Sequence, residues 1–120
     1  MKPLTKRHFL LNILALAVLL VVALFAVTTA EGRGKPMGLV ICEEFGDRYC
    51  AQALRVGYCE SGLRTEARNG QYRGIWQMGS WERRKYGHGS TVRAQARAAN
   101  RYFVASGRDW SPWACRWAAT

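Results

Sequence analysis

Four cysteines, at positions 42, 50, 59 and 115, constrain this chain most, because the segment before them reads as an export signal. Residues 1–30 open with Lys2, Lys6 and Arg7. They continue in an apolar run from Phe9 to Val27, broken only by Asn12, and end in Thr28-Thr29-Ala30. That order is the one a signal peptide shows, with Thr28 and Ala30 at the −3 and −1 positions of a cleavage site before Glu31. The run is also about 19 residues long, enough to span a bilayer, so the alternative is a retained N-terminal membrane anchor. Either way, residues 31–120 are expected outside the cytoplasm.

An even cysteine count in an exported chain argues for two disulfides, and three pairings are open. Cys42 and Cys50 are close enough to clip a local loop. A bond between Cys59 and Cys115 would close a loop of more than 50 residues, worth on the order of 4 kcal/mol. A zinc site would need two CxxC-like knuckles, which these spacings do not supply. His88, alone in a glycine loop after the leader, adds no second ligand, so neither metal nor cofactor is expected.

The 120 residues hold one domain at most. The formal charge of +10 mixes two segments, since three of the 18 basic side chains and none of the eight acids lie in residues 1–30. The rest carries +7. Residues 31–38 are Gly-rich and polar and read as a linker, leaving 39–120 as the folded unit. A core of that size is marginal, which is where small exported domains add disulfides.

Apolar spacing predicts a helix over residues 47–60, with Cys50, Ala53, Leu54, Gly57 and Tyr58 on its buried stripe and Gly62 at its C-terminal stop. Asn69-Gly70 is a turn signal, and 72–78 would form one arm of a small hairpin. Tyr86-Gly87-His88-Gly89 marks a second turn. Ser90 or Thr91 caps a second helix with Val92, Ala96, Ala99 and Phe103 on its apolar face and Arg93, Arg97 and Arg101 opposite, and Gly107 stops it. The fold class is therefore mostly α with a small β-hairpin, an α+β domain stapled by disulfides.

Glu60 falls at the C-terminal end of the first of these helices, where the dipole's negative pole disfavours an ionised carboxylate. Tyr58, Leu63 and Cys59 add apolar surroundings. A carboxyl group held protonated near neutral pH is what a general acid requires. By itself the residue reads more readily as an exposed helix-end glutamate with no chemistry.

The motifs around it are more specific. Cys-Glu-Ser-Gly-Leu at 59–63, Ala67-Arg68-Asn69-Gly70, and Tyr72-Arg73-Gly74-Ile75-Trp76-Gln77-Met78 resemble the Glu-Ser … Gly-Leu-x-Gln pattern of soluble lytic transglycosylases. With the late Trp110-Ser-Pro-Trp113-Ala-Cys115 element they also resemble the actinobacterial resuscitation-promoting factors. The likeness spans roughly residues 47–117. It implies a lysozyme-like fold, a Cys59–Cys115 bond, peptidoglycan glycan strands as substrate and Glu60 as the catalytic acid. Ser61 would orient the acid or simply serve the turn, Gln77 would bind sugar or line the cleft, and Tyr72 and Trp81 would stack on pyranose faces or, the commoner use of any one aromatic, pack in the core. The chain lacks the Tyr-Asn-x-Gly element frequent in transglycosylases and offers Asn100-Arg101-Tyr102 instead, so no role is assigned to Tyr102.

Glycosidases that use two carboxylates need the second roughly 5–9.5 Å from the first. Glu66, Glu82 and Asp109 are the candidates, and a single-acid transglycosylase is favoured over a hydrolase. The expected product is a secreted or wall-associated monomer, anchored to a membrane only if its leader is kept. Its positive charge would favour anionic wall polymers, because export removes the usual nucleic-acid targets. Two other classes compete: a cationic wall-binding module without activity, and a membrane-active peptide built on the arginine-rich helix.

Overall fold

The computed structural model of the chain describes residues 13–15 and 34–120. The signal-peptide reading of 1–30 lies outside the described residues, apart from the helical residues 13–15. Among the described residues no helix is long and apolar enough to cross a membrane. The chain divides into two compact units, Met1–Gly34 and Lys35–Thr120, and the second carries the site.

Four helices and one hairpin build that unit: α1 (Met37–Phe45), α2 (Asp47–Ser61), β1 (Arg68–Asn69), β2 (Tyr72–Arg73), α3 (Ser80–Tyr86) and α4 (Val92–Ala105), with a 3-10 turn at Arg116–Ala119. The class is α+β, as the spacing predicts. The folded unit begins earlier than position 39. Pro36 sits at φ −52° before the first turn of α1, where proline's fixed φ favours helix entry. Its carbonyl accepts from the Leu39 and Val40 N–H groups at 3.0 and 3.2 Å. Met37 and Gly38 are thus helical rather than linker, and Lys35 pairs with Glu43 at 2.6 Å. Nine residues are too few for α1 to show a clear period, although Ile41 and Phe45, one turn apart, are its buried pair.

Helix α2 runs almost over the predicted span, but its buried face is turned from the predicted stripe. Ala53, Val56, Gly57 and Ser61 face the core, whereas Tyr58 is 70% exposed. The reason is tertiary: the Ile75–Trp76 segment presses onto the helix at Gly57. A Cβ there would stand 2.9 Å from Ile75 Cγ2 and 3.1 Å from Trp76 Nε1. The Trp76 indole N–H donates to the Ala53 carbonyl at 3.0 Å, so the tryptophan lies on the helix backbone itself.

The hairpin is shorter than expected. Arg68 pairs with Arg73 and Asn69 with Tyr72. Beyond Arg73 the chain turns over residues 74–77, and Met78 returns to bridge Arg73. This turn drives Ile75 and Trp76 into the core instead of extending a strand. Thr91 Oγ1 caps α4 by accepting from the Ala94 N–H at 3.1 Å, and Gly107 follows the helix at φ +79°.

The core is aromatic. Phe103 and Trp110 ring centroids lie 4.6 Å apart, Trp110 and Trp113 4.9 Å, and Phe45 and Trp76 5.4 Å. Cys42 is bonded to Cys50, joining α1 to α2, and Cys59 is bonded to Cys115, joining the end of α2 to the tail. Two disulfides fit an oxidising compartment. All three α4 arginines have partners: Arg93 pairs with Glu43 and Glu44 at 2.5 and 2.8 Å, Arg97 with Glu44 at 3.0 Å, and Arg101 donates to the Tyr86 carbonyl at 3.2 Å. The predicted open cationic face therefore serves largely to clamp α1 onto α4.

Candidate active site

Glu60 occupies the last turn of α2. Gly62, at φ +66° and ψ +31°, ends the helix in the left-handed conformation that glycine adopts freely. Its N–H donates to the Tyr58 carbonyl at 2.7 Å, and that of Leu63 to the Gly57 carbonyl at 3.4 Å. The disulfide from the preceding residue brings Cys115 alongside, and the Cys115 backbone N–H donates to Glu60 Oε1 at 2.9 Å. Among the described residues Oε2 makes no hydrogen bond, so one carboxyl oxygen is held and the other is available.

Glu60 opens onto a groove of about 320 Å³ lined by Tyr72, Gln77, Glu82, Tyr102 and Trp113, among others. A volume near 300 Å³ is at the small end of ligand sites. A larger depression of about 670 Å³, flanked by Leu54, Tyr58, Leu63 and Trp117, is the poorer candidate for chemistry. Its one ionisable group besides Tyr58 is Arg55, whose guanidinium is spent on the Ala118 and Ala119 carbonyls at 2.8 Å each. Tyr58 lines that depression and not the groove, whose apolar lining is Trp113, Pro112 and Met78.

Of the residues predicted from sequence, Glu60, Tyr72 and Gln77 meet in the groove and two others do not. Ser61 is buried behind it. Its hydroxyl donates to the Ile75 carbonyl at 2.8 Å and accepts from the Arg64 N–H at 3.1 Å, with no bond to Glu60. It serves the turn and pins the 75–76 segment to α2. Trp81 lies half exposed on α3, edge-on to Tyr86 at 6.3 Å with Lys85 Nζ 4.7 Å from its ring centre, and is not part of the groove wall. Gln77 holds a positive φ of 44°, unusual for a non-glycine residue and a feature that clusters at functional sites. Its amide nitrogen donates to the Gly74 and Ala67 carbonyls at 2.9 and 3.3 Å, fixing the side chain.

Sequence reasoning passed over Tyr102 and left Glu82 as one of three acids. Tyr102 lies between Tyr86 and Trp113, at 5.0 and 4.7 Å between ring centres. Burial raises its hydroxyl above the ordinary tyrosine range, and the charge of Glu82 and the neighbouring Tyr86 push it the same way. It remains a protonated hydrogen-bonding group at neutral pH. Glu82 lines the groove with Glu60, whereas Glu66 and Asp109 do not. Glu66 accepts from the Thr65 hydroxyl at 3.0 Å and Asp109 from the Ser111 N–H at 3.0 Å. No sequence spacing separates these acids; only the placement of α3 does.

No family model, curated protein or solved structure matches the chain. Among the described residues, no three or more His, Cys, Asp or Glu side chains come together to hold a metal ion. What the groove offers chemically is a carboxyl group with one free oxygen, a second carboxylate, a phenol, a fixed amide and aromatic walls.

Proposed function

We propose that the Lys35–Thr120 unit is an exported, lysozyme-like lytic transglycosylase that cleaves peptidoglycan between N-acetylmuramic acid and N-acetylglucosamine. The observation that carries this reading is the mounting of Glu60: a carboxyl at the edge of a groove, one oxygen fixed by the Cys115 N–H. The protonated acid gives its hydrogen from Oε2 to the glycosidic oxygen as the C1–O bond breaks. The resulting carboxylate then takes the proton of the muramic C6 hydroxyl, whose oxygen bonds to C1. A 1,6-anhydro ring forms, no water is consumed, and Glu60 ends protonated for the next cycle. Tyr72 and Trp113 supply apolar faces for sugar rings and Gln77 a fixed amide, the mixture of apolar walls and few polar groups usual in ligand sites.

One observation favours a second reading. Glu82 shares the groove, and a pair of carboxylates is the usual equipment of a hydrolysing glycosidase. On that reading Glu82 takes a proton from water, the water oxygen bonds to C1, and the enzyme is a muramidase.

Mass spectrometry of muropeptides released from purified sacculi tests both. Anhydro-muramyl ends are the result expected of the transglycosylase and reducing ends of the muramidase. Release of neither sinks the catalytic proposal and leaves a cationic wall-binding module.

A further inference from the structure

The hairpin has two faces, and the one turned away from Glu60 carries two like charges. Residues directly opposed in an antiparallel ladder share a face, and successive residues alternate. Asn69 and Tyr72 accordingly line the Glu60 groove, while Arg68 and Arg73 line a separate pocket of about 310 Å³. Two arginines thus occupy directly opposed positions of a two-residue ladder, an arrangement that like-charge repulsion disfavours. Among the described residues neither side chain makes a hydrogen bond or an ion pair, unlike Arg93, paired with Glu43 and Glu44, and Arg97, paired with Glu44.

Of the pocket's other lining residues, His88 and Ser90 have side chains able to donate a hydrogen bond. Both face it from the segment before α4. His88 lies close to Gly74: a Cβ at that glycine would stand 3.1 Å from His88 Cε1. Burial, with Arg83 and Arg73 nearby, holds the imidazole below the ordinary histidine range, so Arg73 is near enough for its charge to be felt there. One acid, Glu66, reaches the pocket; its carboxylate accepts from the Thr65 hydroxyl at 3.0 Å and leaves one negative charge against the two arginines. Arg83 is turned elsewhere, donating to the Gln71 and Met78 carbonyls.

We propose that the Arg68–Arg73–His88 pocket is an anion site for a phosphate or phosphodiester group. Planar guanidinium forks match phosphate oxygens in pairs, and charge-assisted bonds of this kind are the strong ones. A bound phosphate removes the repulsion between the two arginines and so stiffens the hairpin whose other face walls the groove. The site does not depend on Glu60 being catalytic.

The test is titration calorimetry of the full chain with inorganic phosphate at fixed ionic strength. Saturable binding is expected, weakened about tenfold by Arg73→Gln or Arg68→Gln, the loss of one charged hydrogen-bond partner. Glu66→Gln should tighten it, because the one opposing charge is gone. Thermal melting keeps the result interpretable: Arg73→Gln should melt no lower than the parent, since it relieves a like-charge pair, so lost binding is not lost folding. Chloride that displaces phosphate equally well at the same ionic strength, or a double Arg68→Gln/Arg73→Gln variant that binds like the parent, overturns the site. Two further titrations identify the source of the phosphate. Tighter binding of soluble poly(glycerol phosphate) than of free phosphate points to a wall polymer, and tighter arginine-dependent binding to phosphatidylglycerol vesicles than to either points to a lipid headgroup. Either result supports the site, and binding to none of the three phosphate forms refutes it.

Discussion

The backbone N–H of Cys115 donates to Glu60 Oε1 at 2.9 Å, and Cys115 is itself bonded to Cys59, the residue immediately before Glu60. The disulfide is therefore part of the mount that orients the acid, besides closing a loop with a sequence separation of 56. Loop closure of that length is worth on the order of 4 kcal/mol. The double variant Cys59→Ala/Cys115→Ala should lose that much in denaturant unfolding. At temperatures where it remains folded it should also release muropeptides more slowly than the parent. A variant with full specific activity in its folded fraction would show that the mount is unnecessary.

Glu60→Gln keeps an oxygen for the Cys115 N–H and removes the transferable proton. Its melting temperature should stay close to that of the parent, while release of muropeptides falls by about 10²–10⁴, the usual worth of a positioned general acid. Activity within threefold of the parent would rule Glu60 out as the acid.

Glu82 sits in the first turn of α3, and among the described residues its side chain makes no hydrogen bond that glutamine would lose. Glu82→Gln should therefore leave the fold intact. In the muramidase reading it lowers the rate at which reducing ends are released by tenfold or more. In the transglycosylase reading the anhydro product is unchanged, and the muropeptide spectrum of this one variant separates the two.

Gly57→Ala places a methyl group 2.9 Å from Ile75 Cγ2. Alanine's better helix propensity, about 1 kcal/mol, is opposed by an overpacking cost of about 1–3 kcal/mol. A net destabilisation of up to about 2 kcal/mol is expected by urea unfolding. The segment that moves bears Trp76, whose carbonyl accepts from the Trp113 indole at 3.1 Å, so activity should fall as well.

The clamp between α1 and α4 gives stability a dependence on acid. Arg97 and Arg93 hydrogen-bond the Glu44 carboxylate and hold it below its ordinary value of 4.5, against an opposing effect of burial. A carboxyl depressed in the folded state stabilises above its unfolded pKa, and that contribution is lost as pH falls through the lower folded value. Glu44→Gln should lower the melting temperature at pH 7 by an amount corresponding to at most about 1 kcal/mol. The difference from the parent should shrink progressively below pH 4.5. A difference that persists undiminished at pH 2 would mean that the ion pairs are not its source.

The longer helices were legible because their signals are local. The Thr91 cap, the glycines at 62 and 107, and the spacing of Ala96, Ala99 and Phe103 depend on near neighbours in the chain, and α2 and α4 fall where those signals place them. The position of Glu60 at the end of α2 follows from the same cues. Helices α1 and α3 were not legible. Each spans at most nine residues, too short for a period to emerge, and each is held by contacts to distant segments.

By itself, the sequence determined the class of the fold, the even set of cysteines, the ends of α2 and α4, and the presence of a carboxyl group at a helix terminus. Tertiary structure decided which groups meet that carboxyl group. Close packing of the 74–77 turn against Gly57 rolled α2 so that Ser61 went inward and Tyr58 outward. The placement of α3 brought Glu82 into the groove and left Trp81 outside it. Pairing with Glu43 and Glu44 took Arg93 and Arg97 out of play, while the hairpin register set Arg68 beside Arg73. Periodicity records which side of an element is apolar, but contacts between residues far apart in the chain depend on how whole elements pack, and no local spacing encodes that.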